Sequence, residues 1–257
     1  MKKIVVFYHS EILIFGKLGE IFNSIEKKLC VLADVTVFSS ERYAKSVLGF
    51  LLDSVNVVIL PYNTRINTTD PIFVEGLPHR YALSFGRLAP YKNLGILNNI
   101  SLKHPEIDIV LAGPLDPRLR LKFHQGLHLL SRKILEGEKR YLLENAEFLI
   151  FPSISRAETF GITQLEALTL VTPVINYNTS TSVGSVNEYG KFGACVELDV
   201  EDPKGSFIRE VWNLWHDRGK VARLKRDCSR HFAKRRNSYE MFVKNEVKNL
   251  LQHNSQL

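Results

Sequence analysis

Residues 148–168 read Phe148-Leu-Ile-Phe-Pro-Ser-Ile-Ser-Arg-Ala-Glu158-Thr-Phe-Gly161-Ile-Thr-Gln-Leu-Glu166-Ala-Leu168. The apolar run to Phe151 predicts a strand, Pro152 and Ser153 turn the chain, and a helical period begins near Gly161. Strand, loop and helix in that order form the repeating unit of open α/β folds, whose ligands bind beyond the carboxyl ends of the strands. Glu158 falls on that loop. The helix start offers free N–H groups and the positive end of a dipole as a phosphate seat, and Gly161 lets a ligand approach the backbone closely. Glu166 lies about one turn into the helix, placed to accept hydrogen bonds from hydroxyls beside the same phosphate. The same residues also fit a plainer reading, in which Glu158 caps the helix and Glu166 sits on a solvated face.

The unit recurs on both sides of this stretch. Apolar or β-branched runs at 4–8, 35–38, 55–60, 81–85, 107–111, 147–151, 174–177 and 194–198 read as strands. Helical periods at 22–32, 40–52, 93–101, 137–144 and 162–170 lie between several of them, and the chain turns helical from about residue 203. This βαβα rhythm predicts doubly wound parallel sheets, and strands apolar throughout predict helices on both faces. Residues 61–79 hold Pro61, Pro71 and Pro78 with little periodicity and read as a linker, so two unequal α/β units are expected, 1–75 and 76–257.

Composition is that of a globular protein: 257 residues, 45% hydrophobic and 24% charged, which excludes disordered and fibrous classes. The net charge of +7 favours anionic partners without choosing among phosphates, nucleic acid and acidic lipid. Cys30, Cys195 and Cys228 are odd in number and widely spaced, which argues against a disulfide framework and for a reducing cytoplasm. No apolar run reaches the roughly 18 residues of a membrane span. His9, Ser10 and Glu11 cut short the opening apolar run, so residues 4–8 read as a buried strand rather than a signal peptide.

A second element is Tyr81-Ala-Leu-Ser-Phe-Gly86-Arg87-Leu-Ala-Pro-Tyr-Lys92-Asn93. A strand runs into Gly86, and two cations follow on the loop and helix start. An arginine fork and a lysine point charge suit a diphosphate and can stabilise charge appearing on a leaving group. Surface cations after a strand are the plain alternative.

Gly86-Arg87-Leu with Lys92, the apolar run ending Ala112-Gly113-Pro114, Ala146-Glu147 leading into Pro152-Ser153, Glu158-Thr-Phe-Gly161 with Glu166-Ala167, and Thr172-Pro173-Val174 follow one another in order. Together they resemble the donor-binding half of family 4 glycosyltransferases, retaining enzymes of GT-B fold, from about residue 81 to 198. The resemblance implies a Rossmann-like C-terminal domain and a truncated N-terminal α/β domain, roughly the first half of the acceptor side being absent. It implies that Arg87 and Lys92 hold the donor diphosphate and that Glu158 contacts the transferred sugar. The backbone of Phe160, Gly161, Ile162 and Thr163 would approach sugar and phosphate, and Glu166 would bind the ribose. The base would lie against residues 132–135. His9 would end an acceptor-side strand as a polar contact to the sugar, although a histidine at a surface strand end fits equally. Where the family usually has glycine, this chain has Asn93 and Val171. A last helix, 238–251, would cross back to the N-terminal unit.

On this resemblance the chain transfers a hexose from a UDP- or GDP-linked donor to a sugar, lipid-linked or protein acceptor, and requires no cofactor. The alternatives are a nucleotide-sugar-binding module, non-catalytic or dependent on a partner chain or homo-oligomer, and a sugar-nucleotide epimerase. His124 and His128 have zinc-ligand spacing on an expected helix, but the glutamate of a metalloprotease motif is missing and no Asp-x-Asp triplet exists, so no metal site is expected. The basic run 218–236 reads as a solvated helix face, or as a peripheral contact with anionic membrane. It lacks the aromatic platform of a nucleic-acid binder.

Overall fold

The computed structural model describes residues 4–9, 17–60, 64, 69–122, 124–232 and 245. Among these, a three-stranded parallel sheet has the order β1 (Val5–Phe7), β2 (Val35–Phe38), β3 (Val57–Ile59). Helices α1 (Lys17–Leu32) and α2 (Glu41–Leu48) make its crossovers. The expected helix 40–52 stops being α-helical at Gly49, whose φ of 55° closes α2 and starts a 3-10 turn, Gly49–Ser54.

The second sheet contains β4 (Ala82–Phe85), β5 (Ile109–Ala112), β6 (Leu127–Leu130), β7 (Leu149–Phe151), β8 (Val174–Asn178) and β9 (Gly193–Glu197). Its order is β6-β5-β4-β7-β8-β9, parallel throughout. Its helices are α3 (Gly95–Lys103), α4 (Glu136–Asn145), α5 (Ile162–Thr169), α6 (Val183–Val186), α7 (Pro203–His216) and α8 (Arg218–Phe232). The two-residue alternation of strand side chains divides the core between the faces. Ala82, Ile109, Leu111 and Ile150 pack with Leu97 of α3 and Phe207, Val211 and Trp215 of α7. Leu83, Val110, Leu149 and Phe151 pack with Leu142 and Leu143 of α4, Leu165 and Leu168 of α5, and Cys228 and Phe232 of α8. Both faces are covered, as apolar-throughout strands require.

The strand order places the site. From β4 the chain builds outward to β6, then returns to lay β7 on the other side of β4. The loops after β4 and β7 therefore leave the sheet in opposite directions and open a crevice between them.

The strand expected to be buried at 4–8 is largely exposed as β1, with Val5 43% and Phe7 61% exposed, and three further expectations change. Residues 127–130 form an edge strand, so His128 lies on β6, paired with Val110, and bonds Asp108 (Nε2–Oδ1 2.7 Å); His124 precedes the strand. A half-exposed edge strand lacks the apolar run that identifies central ones. Second, residues 69–74 of the expected linker dock on α4. Ile72 N–H donates to Gly137 O at 2.9 Å, Arg140 donates to Thr69 O at 2.7 Å, and Phe73 meets Tyr141 edge-on. Third, α6 fills a stretch to which the sequence pattern assigns no element. The helix expected at 238–251 lies outside the described residues.

The two family glycines replaced here stand at left-handed backbone positions. Asn93 has φ 56° and Val171 φ 67°. Asparagine visits that region readily, and its Nδ2 donates to Pro152 O at 3.1 Å. A β-branched valine there carries strain on the order of 1–2 kcal/mol.

Candidate active site

The crevice begins with two glycines. Gly86 (φ 118°) ends β4 and Gly113 (φ 139°) ends β5; a Cβ on Gly113 would collide with the carbonyl oxygen of Gly86. Beyond them the two loops stay joined, Leu88 N–H donating to Pro114 O at 2.8 Å and Asp116 N–H to Leu88 O at 2.9 Å. That zipper carries Arg87, which is exposed, and fixes the 3-10 turn Pro90–Lys92. Asp116 carries a bidentate ion pair with Arg118, which, with the Arg118 N–H, holds its carboxyl far below the usual range; Arg87 adds a weaker pull.

Lys92 crosses the crevice. Its Nζ lies 3.0 Å from Glu158 Oε2, with the side chains 13% and 16% exposed. The Phe151 ring lies 5.3 Å below the ammonium. Glu158 does not cap α5. Gly161 does, with φ 75°, and a Cβ there would come within 2.6 Å of Phe151 and 2.7 Å of Gln164. Phe160 and Gly161 are buried, whereas Ile162 is exposed and Thr163 half-buried at the open start of α5.

Glu166 is not solvated. It is buried and its Oε1 accepts from Lys139 Nζ at 2.8 Å. Burial pushes its carboxyl up against the pull of Lys139. Of the four charged residues expected to converge, the structure brings Lys92 and Glu158 into contact; Glu166 is held by a cation of α4 and Arg87 is exposed on the loop after β4. In the segment expected to meet a base, Arg132 donates two 2.7 Å bonds to Glu138, which also accepts from Leu135 N–H at 2.9 Å. His9 is exposed at the carboxyl end of β1. At that same end of the sheet, Ser39 and Ser40 after β2 each meet Ser182, between β8 and α6, at 2.7 Å, joining the two units.

A family model described as Glycosyl transferases group 1 matches residues 70–225. The chain belongs to that family. Among curated relatives of this group 1 member, O-antigen chain mannosyltransferase C of Escherichia coli is 25% identical over 219 residues, 81% of this chain and 59% of that protein. D-rhamnosyltransferase WbpZ of Pseudomonas aeruginosa is 26% identical over 228 residues, 82% of this chain and 58% of that protein. The chain thus spans somewhat under three-fifths of the length of these relatives. Among solved structures, sucrose-phosphate synthase of Thermosynechococcus elongatus superposes with a TM-score of 0.75 at 14% identity, covering 96% of this chain and 67% of that one. HepE of Anabaena, in complex with UDP and glucose, gives 0.71 at 14% identity over 96% and 72%. These likenesses show the GT-B-like α/β fold with parallel sheets.

In this group 1 family member the motif residues rest on groups that sequence reading passed over. Gln164 and Asn176 are fully buried. Asn176 Nδ2 donates to Gln164 Oε1 at 2.7 Å and to Val183 O at 2.8 Å, while Gln164 Nε2 donates to Phe160 O at 3.1 Å. Thr181 Oγ1 donates to Glu158 O at 2.9 Å, and Ser182 N–H to Thr159 O at 2.8 Å. The Glu158 loop is thereby tied to the start of α6. The only sequence signal was polar residues inside otherwise apolar segments. Gln164→Leu is expected to lower stability by about 2–4 kcal/mol, since it leaves Phe160 O and one Asn176 donor without these partners; urea unfolding measures it.

Elsewhere, α8 exposes Arg218, Arg223, Arg226 and Arg230. Lys225 leaves the expected basic face and donates to Ala146 O at 2.9 Å. Residues 234–236 of that basic run lie outside the described residues. No described helix is long and apolar enough to cross a membrane, and among the described residues no group of three or more His, Cys, Asp or Glu could hold a metal ion.

Proposed function

We propose that the chain binds a nucleoside-diphosphate sugar in the crevice between the β4 and β7 loops and transfers its hexose with retention of configuration. The observation that carries this reading is the Lys92–Glu158 contact at 3.0 Å, half-sheltered beside the open start of α5. An isolated ion pair sheltered to this degree adds little net stability, because desolvation of the two charges offsets their attraction. A lysine that also meets a diphosphate, next to a carboxylate that also meets the sugar, accounts for it as a binding device. Lysine carries three N–H donors and the Glu158 contact needs one.

In this reading Arg87 and Lys92 bind the diphosphate, and the α5 N–H groups at Ile162 and Thr163 approach its oxygens. The bond from sugar C1 to the diphosphate oxygen breaks, and the electron pair leaves on the diphosphate, where the cations stabilise it. The acceptor hydroxyl attacks C1 from the same face and gives its proton to a donor phosphate oxygen. Glu158 orients the sugar and stabilises positive charge developing at C1. Glu166 takes the ribose hydroxyls, the base lies on residues 132–135, and His9 is a polar contact from the acceptor side. Residues 1–75 form the acceptor-side unit and 76–257 the donor unit. The relatives' sugars, mannose and rhamnose, share their configuration at C2, so a manno-configured donor is the first to try. The arginine face of α8 is the surface suited to an anionic membrane bearing a lipid-linked acceptor.

Lys92, Glu158 and Glu166 all belong to the unit built on the six-stranded sheet, which favours a second reading as a nucleotide-sugar-binding module needing a partner. A thermal-shift panel of UDP, GDP, ADP, CDP and dTDP, followed by donor turnover with the best nucleotide, tests both. A ligand at 100 times its Kd stabilises by about 2.7 kcal/mol, so a clear Tm rise is expected with UDP or GDP. Turnover supports the transferase, and isomerised free donor without acceptor supports an epimerase. Binding without turnover supports the module. No shift with any nucleotide overturns all three.

A further inference from the structure

Lys139 is the cation in contact with Glu166, and no motif contains it. It stands in the first turn of α4 and reaches α5, where its Nζ lies 2.8 Å from Glu166 Oε1. On its outer side it also meets Glu136 at 2.8 Å. The Lys139 and Glu166 side chains are each 11% exposed, while Glu136 is 64% exposed. Lys139 therefore spans from a solvent-side acid to a sheltered one. Burial opposes its charge, but the two carboxylates outweigh this and hold the ammonium above its ordinary value.

The surroundings argue against a mere tie between helices. Leu142, Leu143, Leu165 and Leu168 already pack α4 and α5 through one apolar cluster. An ion pair buried in such a contact is often no more stabilising than apolar residues of similar volume. What it does supply is a carboxylate fixed in one orientation, with Lys139 opposing the upward push of burial on its pKa. Lys139 engages Oε1, and a carboxylate offers about four acceptor positions, so capacity remains for two neighbouring hydroxyls. The adjacent residue, Glu138, clamps Arg132 and the Leu135 N–H of the segment that follows β6. One helical turn thus arranges both Glu166 and residues 132–135.

We infer that Lys139 is a positioning residue that sets Glu166 for the ribose hydroxyls of the donor and thereby determines preference for a ribonucleotide. The inference rests on the nucleotide-sugar reading of the site. Orienting the carboxylate in advance removes an ordering cost from binding, and the benefit is confined to ligands that carry the hydroxyls.

Calorimetric titration of the full chain with UDP and GDP, each against its 2′,3′-dideoxy counterpart, tests it. The wild-type protein is expected to favour the ribose form by 10-fold or more. Lys139→Met should bring that ratio to within about threefold while leaving affinity for the dideoxy form unchanged, and Lys139→Arg should restore it. Lys139→Leu, which also removes the donor opposite Glu166, is the second variant should the methionine form not fold. A wild-type ratio in either folded variant overturns the inference alone. Failure of both variants to fold makes the pair a structural tie and overturns it too. Absence of any binding of UDP or GDP by the wild-type chain overturns the reading of the site itself.

Discussion

Lys92→Ala is expected to lower donor turnover by 10²-fold or more, corresponding to the roughly 2.7–4 kcal/mol lost with a preorganised charge-stabilising group. The ammonium is held from one side by Glu158 and set over the Phe151 ring, so it needs little rearrangement when charge appears on the leaving diphosphate. Removing it also leaves Glu158 without its counter-charge in a half-sheltered position. Lys92→Ala and Glu158→Gln should therefore be far from additive, the double variant losing little more than the worse single one. Arg87→Ala is expected to lose a comparable factor. It is exposed and, among the described residues, held by no carboxylate at contact distance, so its effect should fall mainly on donor affinity and weaken with added salt. Near-normal turnover in both alanine variants would remove the proposed chemistry while leaving the family assignment intact.

Gly113→Ala is expected to cost about 3 kcal/mol or more, read as a lowered urea midpoint or Tm. An alanine Cβ there meets the Gly86 carbonyl oxygen and stands 2.8 Å from its carbon, so backbone must move against backbone. Overpacking alone costs about 1–3 kcal/mol, and φ of 139° adds strain of about 1–3 kcal/mol for any residue with a Cβ. The displacement would part the paired ends of β4 and β5 at Phe85 and Ala112 and slacken the loop carrying Arg87 and Lys92. Donor affinity should fall with stability. Gly95→Ala is the control: a Cβ there meets nothing within 4 Å and lies in α3, so no loss is expected. Equal behaviour of the two variants would refute the close approach of the loops.

Most of the fold was legible because strands and helices carry their own period. The central strands β4, β5, β7 and β8 are apolar on both faces, and β2 was located to the residue. The glycine after β4, the proline turn after β7 and the left-handed Gly161 also announce themselves locally. Where the pattern was weak, reading failed. β6 is an edge strand whose His128 breaks the apolar run, and α6 has four residues. Asn93 and Val171 were noted as departures, but only the backbone angles distinguish the asparagine that fits from the valine that strains.

The sequence by itself determined the parallel α/β architecture, the loops that carry the site, and most of the charged residues on them, because these follow from side-chain periodicity and the conformational limits of glycine and proline. Tertiary structure alone decided the pairings: Lys92 with Glu158, Lys139 with Glu166, Gln164 with Asn176, and Ser182 with two serines of the other sheet. Among the hydrogen-bonded pairs the partners stand between 12 and 143 residues apart. Lys92 and Glu158 meet because the crossover sets β7 beside β4 out of chain order, and no local preference of the chain encodes which distant loop will arrive at a given strand end.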